Sequence, residues 1–364
     1  MPEIGQLYGA PMGVIHRGDL QQILLGAVQQ SGGRIFTSRT VLGVDEAFYP
    51  RVLVRNNKNG KKVWLRADVV IAADGIQSTV RRQIGQMEKG SHHETPVATG
   101  DSAYRLLIPR ERVQHDAALL AMLDQNVAMR YMGPGGHIMA YPVKQNSLYN
   151  IVLLHPTSTD TATETTTDTG GSPWTTQGSR TEMLHFYRNW SPAIRAWLSY
   201  ADQDLLEWTL QTAAPLPHWA RNSVALIGDA CHPMLPYVAQ GAANAIEDAA
   251  VLMTAFTLTS DVILALRVYE AVRKTRAEVI AASASSTGRS LHLPDGSEQH
   301  ERDEAIRNAG KGLHTGAEDT SDKWRDPSWQ DFMWGVDVMR ETVENWEALT
   351  AMVDDGSFHS ASKL

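Results

Sequence analysis

The stretch at residues 224–252, VALIGDACHPMLPYVAQGAANAIEDAAVL, decides how this chain is read. Its first four residues, Val224-Ala225-Leu226-Ile227, form a short apolar, partly β-branched run. Such a run suits a strand buried on both faces. Gly228-Asp229 follows at once and sets a carboxylate at the carboxyl end of that strand, where open α/β sheets bind their ligands. Past Pro233 and Pro236, residues 240–244 open a helix in which Ala245, Ile246, Ala249, Ala250 and Met253 recur at helical spacing. Gly241, Ala242 and Ala243 leave its first N–H groups uncovered, so an electron-rich ligand has a place to rest. A strand–turn–helix with an aspartate capping the turn would explain the Gly-Asp pair equally well. The mutual spacing of Pro, Gly and Asn over the whole stretch favours a ligand site.

Upstream, a second stretch has the same design. Residues 67–73, ADVVIAA, read as another fully buried strand, and Asp74-Gly75 ends it with a carboxylate and a flexible backbone. A helix then begins at residues 78–82 and carries Arg81 and Arg82 in its first turns. Two strands of one sheet ending in acid-plus-glycine are harder to explain as independent turns. Short strands are expected at 34–36, 41–44, 51–55 and 61–65, the last two joined by the hairpin signal Asn56-Asn57-Lys58-Asn59-Gly60. Before them, Asp19 is expected to N-cap a helix with Leu20, Ile23, Leu24, Ala27 and Val28 on one apolar face, stopped by Ser31-Gly32-Gly33. Arg17 lies just ahead of that helix, where a guanidinium suits a phosphate or ribose. Taken alone it reads first as a solvated surface arginine.

From residue 94 the texture changes. Alternating strands are expected at 104–108, 127–132, 137–143 and 148–154, an antiparallel sheet. Residues 157–180, rich in Thr, Ser and Gly, read as a disordered surface insertion without chemistry. Helices at 182–190 and 193–199 and a strand at 205–209 lead back toward residue 224. The fold class is therefore α/β (α+β): a Rossmann-like domain at 1–93 plus 210–290, an inserted antiparallel-sheet domain at 94–209, and a helical C-terminal region at 291–364. In that order, a long helix is expected at 262–282, loop with one helix at 288–327, and helix again at 330–352, anchored by Trp329, Trp334 and Trp346.

Composition narrows the function classes. A chain of 364 residues with 43% hydrophobic residues suffices for two domains. A net charge of −8 argues against nucleic acid or an anionic membrane as partner. No apolar run approaches membrane-spanning length, and the first residues lack the pattern of a signal peptide. Cys231, the single cysteine, excludes an internal disulfide and reads as a small buried residue. The 13 histidines include no spacing that suits a metal, so no metal ligand is assigned. There is no P-loop, GxSxG elbow or GxGxxG. The final Ser362-Lys363-Leu364 matches a peroxisomal address, so an import receptor is an expected partner and the peroxisome, otherwise the cytoplasm, the expected location.

Together, GDACHPMLPYVAQGAANAIEDAAVL, the segment at 74–81 (DGIQSTVR), His16-Arg17-Gly18-Asp19-Leu20 and Met333-Trp334-Gly335-Val336-Asp337 resemble the flavin-dependent aromatic hydroxylases of the para-hydroxybenzoate hydroxylase class. The branch is similar to salicylate hydroxylase and fungal phenol-dearomatising monooxygenases. The resemblance implies FAD as cofactor, NADH or NADPH as co-substrate, and hydroxylation of a phenolic or polyketide-like aromatic by O₂ through a C4a-hydroperoxyflavin. It implies that Asp229 binds the ribityl chain, that Pro236, Gly241 and Ala242 line the flavin ring, and that Arg17 meets the ribityl or phosphate region. Asp74 and Gly75 would serve both FAD and NAD(P)H, with Arg81 in the same cofactor motif. Arg105 and Tyr141 sit where related enzymes hold a phenolate; a salt bridge and a half-buried strand tyrosine are the plainer readings. Members of the class open with a βαβ unit carrying GxGxxG, which this chain lacks. The expectation is an N-terminally shortened chain, with an inactive remnant unable to hold FAD as the alternative.

Overall fold

The computed structural model describes residues 4–87, 95–157, 175–309, 324 and 326–354. They form two compact units: one from the described residues of 1–35, 98–210 and 289–321, the other from those of 36–97, 211–288 and 322–364. Residues 1–35, assigned from sequence to the domain of the buried strands, cluster instead with the antiparallel sheet. Among the described residues no helix is long and apolar enough to cross a membrane.

The unit holding the decisive stretch begins with β1 (Arg39–Val44), β2 (Arg51–Asn56) and β3 (Lys62–Arg66), an antiparallel sheet with the expected hairpin between β2 and β3. Then come β4 (Val70–Ala72), α3 (Thr79–Gln86), β11 (Ala220–Arg221), β12 (Val224–Leu226), α7 (Gly241–Leu258) and the long α8 (Val262–Leu291). β4 and β12 are parallel neighbours, Val70 opposite Val224 and Ala72 opposite Leu226, so both chains leave the sheet at the same edge. All three β12 residues are fully buried, packed with Val80 and Ile84 of α3, Val251 of α7, and Leu266 and Tyr269 of α8. Cover on both faces explains why the strand is apolar at every position. Tyr269 also donates from its hydroxyl to the Leu226 carbonyl at 2.8 Å. Among its described residues three shorter helices follow: α10 (Pro327–Trp334), α11 (Val338–Glu344) and α12 (Trp346–Asp354).

In the other unit, β5 (Val97–Pro109), β6 (Met129–Gly133), β7 (Gly136–Val143), β8 (Leu148–Pro156), β9 (Thr175–Ser179) and β10 (Asp204–Thr212) make one sheet in the order β6-β7-β8-β5-β10-β9. One face is a core: Tyr104, Leu106 and Ile108 of β5, Ile138 and Ala140 of β7, and Tyr149, Ile151 and Leu153 of β8 pack on α4 (Ala117–Leu123), α5 (Arg180–Phe186) and α6 (Pro192–Ser199). Tyr149 stacks on Trp197 of α6 with ring centroids 4.1 Å apart. Period-two alternation turns Arg105, Leu107, Met139, Tyr141, Asn150 and Val152 to the opposite face.

Four local expectations fail for physical reasons. Residues 34–36 do not form a strand, and Phe36 is 64% exposed. In α2 (Arg17–Gln30) the N-cap is His16, and Asp19 sits in the first turn, where its carboxylate binds Lys144 at 2.8 Å. The apolar stripe of α2 is open: Ile23 and Leu24 are 61% and 56% exposed. The Thr-rich insertion ends sooner than expected, because residues 175–179 pair with β10 as an edge strand. Gly178 fits there because a Cβ would stand 2.7 Å from the Tyr104 ring. The rest of the insertion, at 158–174, and the Ser362-Lys363-Leu364 terminus lie outside the described residues.

Candidate functional site

Because β4 and β12 are parallel and in register, Asp74 and Asp229 emerge two and three residues beyond paired positions at one edge. Both are exposed. After β4, Gly75 turns the chain with φ +75°, and one Asp74 oxygen accepts the Thr79 N–H at 2.9 Å, closing the loop onto α3. After β12, Gly228 takes φ +59° and starts a single 3-10 turn, Gly228–Ala230, carrying Asp229 outward. A second such turn, Pro236–Val238, is stopped by Ala239 in the left-handed region, and Gln240 caps α7 without a side-chain hydrogen bond. The first turn of α7 thus presents the N–H groups of Gly241, Ala242 and Ala243 to a half-open surface, with Pro236 exposed beside them. A methyl placed on Gly241 would lie 4.0 Å from Asp229 Oδ1 and 3.7 Å from Met234 Cγ. The turn is therefore a cradle bounded by a carboxylate, in which even a Cβ at Gly241 would meet its neighbours only at ordinary contact distance. Hydroxyl groups suit its carboxylate, and an electron-rich ring edge suits its N–H groups and helix dipole.

Behind this cradle the polar groups are locked. Asp248 of α7 is fully buried and accepts from the Gly228 N–H at 2.9 Å, from His232 Nε2 at 2.6 Å and from Arg273 Nε at 2.9 Å. Burial alone would raise its carboxyl, but the hydrogen bond and charge of His232 and the charge of Arg273 outweigh burial and hold it below the ordinary carboxylate value. Arg273 also binds Glu247 and, at 2.8 Å, Asn244 Oδ1. Cys231, His232 and Asp248 lie close enough to ligate a metal. The guanidinium on Asp248 already supplies the positive charge there, and burial pushes the Cys231 thiol well up, away from the thiolate a metal needs.

Arg81, assigned to the cofactor motif from sequence, is fully buried instead. It donates to the carbonyls of Ala230 at 3.2 Å and Cys231 at 3.0 Å, and to that of Ala214. Its work is to hold the Asp229 turn from below, and it has no exposed atom to offer a ligand.

In the sheet unit, Arg105 and Tyr141 share the face away from the helices. Their rows follow from register: Arg105 stands opposite Val152, which stands opposite Met139, while Tyr141 stands opposite Asn150, which stands opposite Leu107. The two are thus two strands and one row apart, about 10 Å across the sheet. Neither forms a hydrogen bond or ion pair with another described residue. Arg105, Leu107, Tyr200, Asp202, Leu206 and Trp208 are among the residues lining a cavity of about 180 Å³, and Tyr141 is not. Arg17 is exposed at the start of α2, in the same unit.

The FAD binding domain family matches residues 6–185 and 188–283. The chain belongs to that family. Its FAD binding domain relatives include the FAD-dependent monooxygenase atnJ of Arthrinium sp, 33% identical over 293 residues, which are 79% of this chain and 65% of the relative. The 3-hydroxybenzoate 6-hydroxylase 1 of Aquipseudomonas alcaligenes is 31% identical over 74% of this chain and 62% of its own length. Among solved structures, a salicylate hydroxylase substrate complex superposes with TM-score 0.65 at 26% identity, covering 92% of this chain and 75% of that one. The chain spans about two thirds of the length of these two curated relatives.

Sequence reading missed the Asp248–His232–Arg273 network and Asn150. A signal existed for Asp248, which with Glu247 sets two adjacent carboxylates in the mostly small and apolar α7. None existed for Asn150, whose place emerges only from the β7–β8 register.

Proposed function

We propose that this chain works as an FAD-dependent monooxygenase that uses NADH or NADPH and O₂ to hydroxylate a phenolic or polyketide-like aromatic. The observation that carries the reading is the exposed Asp229 beside the uncapped first turn of α7, at the edge where both parallel strands end. Asp229 accepts hydrogen bonds from the ribityl hydroxyls, while Pro236 and the small residues Gly241 and Ala242 let a flat ring lie on the helix N–H groups. Asp74 and Gly75 serve the cofactor and the nicotinamide nucleotide, and Arg17 meets the ribityl or phosphate region. When bound, FAD would supply the redox chemistry that links NADH or NADPH to O₂. Arg105 and Tyr141 hold the phenol oxygen on the sheet face, where a neighbouring guanidinium favours the ionised and more nucleophilic phenolate. That relatives are named as FAD-dependent monooxygenase and 3-hydroxybenzoate 6-hydroxylase supports the reaction class. The terminal Ser362-Lys363-Leu364 serves as a peroxisomal import signal.

Reconstitution tests the reading. The chain refolded with excess FAD and desalted should keep an absorbance band near 450 nm (roughly, as for an oxidised flavin cofactor), and Asp229→Ala should lose most of it. The holo-chain should oxidise NADH or NADPH faster when a phenol is present. A colourless preparation that FAD cannot reconstitute sinks the reading for this chain.

A further inference from the structure

The hairpin of β2 and β3 carries chemistry that the cofactor reading leaves unused. Residues 47–67 hold six lysines and arginines and no aspartate or glutamate, in a chain whose net charge is −8. Among the described residues β3 pairs with β2 alone, so it is an edge of its sheet. It is exposed along its whole length, Val63 and Leu65 to 46% each and Trp64 to 42%. An open edge with apolar side chains is a template for another strand.

The ladder between β2 and β3 fixes which main-chain groups point outward. Hydrogen-bonded and open pairs alternate along an antiparallel ladder. The Asn56 N–H donates to the Lys61 carbonyl at 2.9 Å, and the Ala67 N–H to the Pro50 carbonyl at 2.9 Å. Between those two ends, the pairs Val54–Val63 and Val52–Leu65 therefore bond inward. Lys62, Trp64 and Arg66 turn their N–H and C=O groups outward. The side chains of these three residues share one face. On that face Arg51, held by Asp45 at 2.6 Å, sets its Cζ 4.7 Å from the centroid of the Trp64 ring. The side chains of Lys62 and Arg66 form no hydrogen bond or ion pair with another described residue.

We propose that β3 is a docking edge for an extended acidic segment of a partner protein, which adds to the sheet as a fourth strand. Side chains directly opposite on neighbouring strands attract when their charges differ. The strand that fits sets carboxylates against Lys62 and Arg66 and an apolar residue against Trp64. Its alternate positions are apolar and lie beside Val63 and Leu65. The pattern is acid, three apolar residues, acid. A second copy of β3 does not fit, because pairing about Trp64 in either direction sets cation against cation. In such an addition the main-chain hydrogen bonds give affinity and the side chains give specificity.

The test is fluorescence anisotropy of the full chain with a labelled peptide containing Glu-Val-Leu-Val-Glu. Its comparisons are Lys-Val-Leu-Val-Lys and the acidic peptide N-methylated at its central leucine. Wild type should bind the acidic peptide about tenfold tighter than the basic one, the scale of two cross-strand charge pairs. N-methylation should weaken binding about tenfold, because it removes the hydrogen bond to the Trp64 carbonyl. The double variant Lys62→Glu with Arg66→Glu should keep the wild-type thermal midpoint and reverse the preference. Failure of wild type to bind the acidic peptide, equal binding of both peptides, or a preference that survives the double variant overturns the proposal. Unchanged affinity after N-methylation overturns strand addition. Tighter binding of phosphatidylserine vesicles or of a thymidine oligonucleotide than of the acidic peptide overturns the choice of partner.

Discussion

The turn behind Asp229 and the open face of the six-stranded sheet treat their polar groups in opposite ways. Around the turn the buried charges are paired, although Arg81 Nε and His232 Nδ1 make no hydrogen bond. Asp248 takes three donors, Arg273 reaches Glu247, Asp248 and Asn244, and Arg81 spans three main-chain carbonyls. On the sheet face, Arg105 and Tyr141 have no partner among the described residues, and the Asn150 amide is buried and unpaired. Saturated networks fix a shape at the cost of desolvating charges, and they tolerate no missing member. Unsaturated groups weaken the apo fold slightly and await a ligand. On the proposed reading the first region holds the turn rigid and the second binds the aromatic ligand, and folding stability and ligand affinity should separate the two.

The largest loss of stability is expected at Asp248. Replacing it by alanine leaves Arg273 buried with one partner fewer and strips His232 and the Gly228 N–H of their acceptor. A buried pair broken on one side costs about 3–5 kcal/mol. Guanidinium unfolding of Asp248→Ala measures this directly, and a loss below about 1 kcal/mol would break the contrast, because the turn would then hold without its network.

His137 offers an intermediate test in the sheet unit, by pH. It is buried on β7, and its Nδ1 lies 2.8 Å from His292 Nε2. Burial first, then the neighbouring His292 and Arg130, push His137 from an ordinary 6.5 down to about 3. Between those values the unfolded chain binds a proton that the folded chain refuses. Stability therefore rises with pH across this window: it is fully present above about 6.5 and lost as pH falls toward about 3. His137→Gln has nothing to titrate and keeps hydrogen-bonding atoms. It should cost about 1 kcal/mol at neutral pH and show a flatter decline in thermal midpoint from pH 6.5 to 4. Parallel curves for the two proteins would remove His137 as the source of the slope.

How much of this was legible beforehand depends on whether the cause is local. The strands at Val70 and Val224 were readable because burial on both faces demands an unbroken apolar run, and their acid–glycine ends were readable because a turn demands them. Arg81 misled for the opposite reason. Its partners Ala214, Ala230 and Cys231 are more than 130 positions away in sequence, and an arginine in a first helical turn looks the same whether it faces a ligand or a set of carbonyls. The polar strand TTQGS was hidden because an edge strand takes its conformation from pairing with β10 rather than from its own side chains. For the sheet face, only the family resemblance pointed to Arg105 and Tyr141, and their shared face, like the place of Asn150 opposite Tyr141, came from the strand register.

The smallest stability effect is expected where the binding effect is large. Arg105→Met and Tyr141→Phe remove groups that bond to no other described residue, so unfolding should shift by no more than about 0.5 kcal/mol. If each of them holds a phenol oxygen, affinity for a bound phenol should fall about tenfold for Tyr141→Phe and up to about a hundredfold for Arg105→Met, the difference between a neutral and a charge-assisted hydrogen bond. Denaturant unfolding and phenol titration on the same preparations test both halves. A structural role would lower stability and affinity together, because a distorted sheet binds poorly. A site left open for a ligand lowers affinity alone, and the arginine should matter most toward a phenol near its own pKa, where the guanidinium decides whether the bound oxygen carries charge.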